Sequence, residues 1–250
     1  MTETTINLRE LAKKIEDTHG KTARKIVQLS DLSSIKIDLC FADDQIRLLS
    51  GARDAALKSE AGTADQIVPM ALLMSSVVLY ARATKSKSNH RMTFDIRTKF
   101  SDVERARHMA ICALRDDAFA HFGPGMGEGS DALQQDGVFA IFDEDRGALQ
   151  IATMSRRKVI DLNLVDLIIA QIQRAILIVE QQIQTRREDV GNELMELLIS
   201  GEISKDLWKS CEFDVMELFG DEEAKRHALA GPRTGHQKGM AQRAYKAPPP

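Results

Sequence analysis

The chain has 250 residues, 43% of them hydrophobic, 28% charged and 5% aromatic, with a formal net charge of −3. This is the composition of an ordinary globular protein, long enough to bury a core. It excludes a global attraction to nucleic acid or acidic membranes, so any such binding is local. Cys40, Cys112 and Cys211 form neither a CxxC pair nor a zinc-ligand pattern, which argues against a disulfide framework or metal module and for a reducing, cytoplasmic setting. The first residues lack the basic-then-apolar order of a signal peptide. The most apolar run, 67–83, is broken by Pro69, Ser75, Ser76 and Arg82, so no membrane partner is expected.

From Thr5, the spacing of Ile6, Leu8, Leu11, Ala12 and Ile15 predicts a short helix with a Thr cap, closed at Gly20. Residues 31–50 are ambiguous: Ile35, Ile37, Leu39 and Phe41 alternate as in a strand, whereas Ala42, Ile46 and Leu49 keep helical spacing; the reading adopted is helix. Asp65 is placed to cap a core helix through Ile67, Met70, Met74, Val77 and Ala81, with Pro69 near its start. A further helix is expected over 101–122, where Ser101 and Glu104 have the spacing of a capping box. The glycine-rich run 123–129 ends it and, lacking the Lys-Ser/Thr of a phosphate loop, reads as a connection.

Two β-prone runs, 138–142 and 149–154, suit a hairpin. Behind Asp161, Leu162, Val165, Ile169, Ile172, Ile176, Val179 and Ile183 repeat three-four without a miss and predict a long amphipathic helix that needs helical partners. More helix is expected over 193–219, interrupted at Gly201. Beyond residue 223 the periodicity is lost, and 224–250 hold six of the 34 basic residues and none of the 37 acidic ones, leaving 1–223 at net −9. The expected fold is therefore mainly α, an up-and-down helical bundle with a short β-hairpin before the last long helix. Its expected organisation is an N-terminal helical segment (1–60), a helical core (61–190), a C-terminal helical extension (191–222) and a disordered basic tail (223–250).

Chemistry concentrates at Leu114-Arg115-Asp116-Asp117-Ala118-Phe119-Ala120-His121, at a helix end before the glycines. At about 100° per residue, Glu104, His108 and Arg115 share one stripe, whereas His121 lies about 120° from Arg115, a gap that Arg115's long reach, a distorted last turn or a second chain would close. Plainer roles compete with catalysis here. A histidine at a helix C-terminus complements the macrodipole, Glu104 and His108 suit a surface pair, and Tyr80 and Arg82 suit a helix end with a wet hydroxyl and a snorkelling cation.

Leu79-Tyr80-Ala81-Arg82 on one helix, followed by His108 and then Arg115-Asp116 five residues ahead of His121, resembles the HEPN superfamily (higher eukaryotes and prokaryotes nucleotide-binding), over roughly 65–187. The superfamily carries an Arg, four to six residues and a His near a helix end, usually with a polar residue directly after the Arg. The resemblance implies a bundle that forms a homodimer and joins two motifs in one cleft, and a metal-independent endoribonuclease of toxin or phage-defence type, without cofactor or metal and with an antitoxin or other protein as a further partner. On that reading Arg115, Asp116 and His121 are the catalytic set: His121 is the acid/base, Arg115 binds the scissile phosphate and Asp116 orients its neighbours. Arg82, His108 and Tyr80 contact the RNA. These residue types suit the reaction, since a histidine titrates near neutrality and an arginine engages two phosphate oxygens while staying charged, and the product would carry a 2′,3′-cyclic phosphate. The alternative is an inactive helical module that binds a partner protein or nucleotide, with Arg115 and Asp116 in structural ion pairs.

Overall fold

A computed structural model describes residues 5–56, 64–85, 91, 94–116, 134–143, 148–157 and 162–213. In chain order its elements are α1 (Leu8–Lys14), α2 (Gly20–Ala56), α3 (Ala64–Thr84), a 3-10 turn (Ile96–Lys99), α4 (Asp102–Ala113), β1 (Gln134–Asp143), β2 (Ala148–Arg157), α5 (Leu162–Ile199) and α6 (Lys205–Lys209). The protein is mainly α-helical, with one two-stranded antiparallel sheet among the described residues. The described residues of Met1–Ser30 and Arg186–Pro250 form one compact unit and those of Asp31–Thr185 another, so α2 and α5 contribute to both.

Within the 31–185 unit, helical packing resolves the ambiguous segment. Ile35, Leu39, Ala42, Ile46 and Leu49, spaced four, three, four and three, are sealed from solvent, while Ile37 (44%) and Phe41 (51%) stand exposed. A strand would have put Ile35, Ile37, Leu39 and Phe41 all on one face; a helix puts only the first and third inside. On α3 the buried stripe is Leu73, Val77, Tyr80 and Ala81, and Met74, expected in the core, faces outward. The α3 helix starts at Ala64, so Asp65 lies in its first turn rather than capping it. On α5, Val165, Ile168, Ile172, Ala175, Val179 and Ile183 are buried. Each fully buried Ile or Leu contributes about 1.5–3 kcal/mol.

Polar bonds tie these helices together. Ser76 Oγ donates to the Ala42 carbonyl at 2.8 Å, Arg174 Nε reaches Glu104 at 2.9 Å, and Lys36 Nζ reaches Glu180 at 2.6 Å. The expected capping box begins α4: Glu104 N donates to Ser101 Oγ, and Ser101 N to Glu104 Oε2. Beyond Ala113 the chain enters a π-helical turn at 114–116. The hairpin is longer than its β-prone runs, pairing Gln134 with Arg157 through to Asp143 with Ala148.

In the other unit, Leu11, Ala12, Ile15, Ala23, Ile26, Val190, Leu194, Ile203 and Cys211 form one apolar cluster. Here the expected Thr5 cap is replaced by Asn7, whose side chain accepts from Arg9 N and Glu10 N. Thr5 is engaged elsewhere: its carbonyl accepts from Phe213 N, while Asn7 N donates to the Cys211 carbonyl. That long-range pairing holds residues 5–7 extended and moves the helix start. Gly20 opens α2 rather than closing α1. Gly201 does interrupt the chain where expected, at φ 77°, a left-handed position that favours glycine. Among the described residues the helix that follows is α6, five residues long, and 214–219 of the expected helix lie outside them.

Candidate functional site at the end of helix α4

Arg115 and Asp116 sit in the π-helical turn, a distortion frequent at functional sites. Arg115 is two-fifths exposed, and its Nη1 donates to Asp116 Oδ1 at 2.6 Å. Lys85, just past the end of α3, donates to the other carboxylate oxygen. These two cations, Lys85 foremost, hold the Asp116 carboxyl below the usual carboxylate range. One acidic residue thus gathers two cations from two helices.

Asp116 also lines an open cavity of about 640 Å³, whose walls include Lys85, Phe94, Asp95, Arg97, His108 and Cys112. Asp95 both caps the 3-10 turn and takes Arg97 in a fork, with Nε to Oδ1 at 2.8 Å and Nη2 to Oδ2 at 3.1 Å. That pairing lowers the Asp95 carboxyl and raises the guanidinium.

His108 forms part of the inner wall and is 2% exposed. Its Nδ1 lies 3.0 Å from the Tyr80 hydroxyl, which accepts from Gln171 Nε2 at 3.3 Å. The imidazole packs against the rings of Tyr80 and Phe100, with centroids 5.8 and 5.7 Å away. Burial, then the positive charge of Arg97, pushes its pKa below the ordinary histidine value, and burial pushes the Tyr80 phenol well up. Cys112 Sγ lies 3.8 and 3.9 Å from the two ring nitrogens. Its thiol is pushed up to about 11, chiefly by burial. Such a thiol stays protonated near neutrality and is no nucleophile.

The structure therefore divides the stripe expected on α4. His108 belongs to the core, Glu104 binds Ser101 and Arg174, and the surface pair Glu104–His108 is not formed. Tyr80 is fully buried, so its hydroxyl is not wet. Arg82 is held by Asp38 of α2, with Nε to Oδ2 at 3.0 Å; Arg91 joins the same carboxylate at 2.9 Å and the Arg82 carbonyl at 2.7 Å. Its hydrogen bonds thus go to α2 and not to the carboxylate that holds Arg115. His121, Asp117, Asp161, the glycine run 123–129 and the tail beyond residue 223 lie outside the described residues.

Sequence reading did not single out Lys85, Asp95, Arg97, Cys112 or Gln171. The available signal was polarity at a buried period: Gln171 lies three residues after Ile168 and four before Ala175, and His108 lies three and four before Ile111 and Cys112. Among the described residues no group of three or more His, Cys, Asp or Glu is arranged to hold a metal ion, and no helix is long and apolar enough to cross a membrane.

Fold and site together define a mainly α-helical protein with a β-hairpin between α4 and α5 and a charged cavity at the end of α4. The chain matches no protein-family model, no curated protein and no solved structure.

Proposed function

We propose that this protein is a metal-independent endoribonuclease of the HEPN type, acting in a toxin or phage-defence setting, with its site at the end of α4. The observation that carries this reading is the gathering of Arg115 and Lys85 on one carboxylate at the rim of a cavity that Arg97 also lines. Such a cluster suits a phosphodiester: a guanidinium can engage two phosphate oxygens, and the neighbouring cations offset charge building on the phosphorane. In the proposed reaction His121 takes the proton from the ribose 2′-hydroxyl, whose oxygen attacks phosphorus. The P–O5′ bond breaks, a protonated histidine donates to the leaving oxygen, and a 2′,3′-cyclic phosphate remains. A homodimer would supply the second histidine and join two clusters in one cleft.

A second reading draws on the same ion pair. Because Asp116 already pairs with both Arg115 and Lys85, the cluster also suits a helical module that is inactive and binds a partner protein. Cleavage of labelled tRNA and mRNA in EDTA separates the two. The enzyme reading expects cutting by wild type that Arg115→Ala and His121→Ala each abolish while circular dichroism stays unchanged. Folded wild type that cuts neither RNA would overturn it in favour of the module.

A further inference from the structure

The row Gln171, Tyr80, His108 is an expensive way to fill a core. Three uncharged polar side chains are buried in series, and among the described residues Gln171 Oε1 has no hydrogen-bond partner, where apolar residues of similar volume would avoid the desolvation cost. The row has a direction. Gln171 Nε2 donates to the Tyr80 oxygen, and in the proposed arrangement the phenolic proton points to His108 Nδ1, 3.0 Å away. A neutral imidazole that accepts at Nδ1 carries its own proton on Nε2. With Nδ1 committed to Tyr80, Nε2–H has the Cys112 sulfur at 3.8 Å as its neighbour, a weak acceptor that an anion in the cavity His108 lines would outcompete.

Two cations line the same cavity, each paired with a carboxylate that lines it too. Lys85 has an ammonium with three donor positions, one of them on Asp116. Arg97 gives Nε and Nη2 to Asp95, and among the described residues its Nη1 carries no hydrogen bond. The two carboxylates, Asp95 and Asp116, are each held by cations, in pairs exposed enough for a ligand oxygen to compete. Two cations and a neutral N–H facing one space of about 640 Å³ match a multi-oxygen anion attached to something larger, within the size range of small-ligand sites.

We infer that this cavity is a phosphoryl-binding subsite in which His108 Nε2–H, aligned by Tyr80 and Gln171, donates to a phosphate oxygen between Lys85 and Arg97. The inference deepens the ribonuclease reading by assigning a second phosphate contact, and its test does not depend on cleavage. Tyr80 acts here as a positioning residue and His108 as a ligand contact.

The experiment is nitrogen-detected NMR of histidine side chains in the full chain carrying His121→Ala, titrated with inorganic phosphate and, separately, with a short single-stranded RNA. The His108 signals are assigned by their loss in His108→Asn. The expected result is the Nε2–H tautomer in the free protein, a shift of that resonance on adding ligand, and an apparent affinity about tenfold weaker in Arg97→Ala, as for one charge-assisted hydrogen bond. Tyr80→Phe should remove the tautomer preference while leaving Lys85 and Arg97 in place. A response to both ligands assigns the site to phosphoryl groups in general, and one to RNA alone assigns it to the nucleic-acid backbone. Either result supports the subsite even where wild type proves unable to cut. His108 resonances unmoved by both ligands, or the opposite tautomer, would overturn the subsite and leave the Arg115–His121 reading standing.

Discussion

His108 is the residue whose surroundings decide most about the cavity, because its ring is bonded, stacked and buried at once. Tyr80→Phe keeps the ring contacts but leaves His108 Nδ1 and Gln171 Nε2 unpaired in the core. Equilibrium urea unfolding should show a loss of about 1–3 kcal/mol. The same burial sets a pH dependence. The folded-state pKa of His108 is lowered, so the unfolded chain binds the proton more readily. The contribution of neutral His108 is therefore fully present above the ordinary histidine pKa and is lost as pH falls from there through the lowered folded value. Urea midpoints taken from about pH 7.5 down to about pH 5.5 should fall, and fall less in His108→Gln. Asp116, also lowered, adds a loss only at more acid pH, as its carboxylate protonates. From sequence, Arg115 and Asp116 were legible as a charged pair at a helix end. His108 was not, because grouping it with Glu104 and Arg115 by polarity outweighed its three- and four-residue spacing to Ile111 and Cys112, which places it inside.

Among the elements, those with local signals were legible and those fixed by distant partners were not. The capping box of α4 needs only Ser101 and Glu104, and both reciprocal bonds form. Ser101→Ala should cost about 1 kcal/mol in the same urea experiment, and Ser101→Asn should restore most of it, since asparagine is as good a cap. The stop at Gly201 is equally local. By contrast, the start of α1 depends on Thr5 and Asn7 bonding residues some two hundred positions away, which no local pattern announces. The two readings of 31–50 were separable only by burial, since Ile35, Leu39, Ala42, Ile46 and Leu49 satisfy a helical period while part of the same run also satisfies a strand. Hairpin length was underestimated because Gln134, Gln135 and Asp136 of β1 and Ser155, Arg156 and Arg157 of β2 carry little β propensity, yet pair with one another at the open end in register with the apolar centre.

For the whole molecule, charge and function have to be reconciled. Residues 1–223 are net −9, which opposes general attraction to RNA, so on the proposed ribonuclease reading binding would rest on the local group of Lys85, Arg97 and Arg115 at the end of α4. That places the weight of the proposal on a few side chains, where substitution can test it. The fold class was legible because periodicity over whole helices reports it. The cavity was not, since Lys85, Arg97 and Asp116 come together only through the packing of three separate segments. The most direct test of the central claim is the rate at which purified wild type and His121→Ala cut the same end-labelled RNA in EDTA. The account predicts that the substitution lowers the rate by about 100-fold or more, the usual range for losing a general acid–base group, with wild-type products ending in 2′,3′-cyclic phosphate. Equal rates for the two proteins, or products ending in a 3′-hydroxyl, would contradict it.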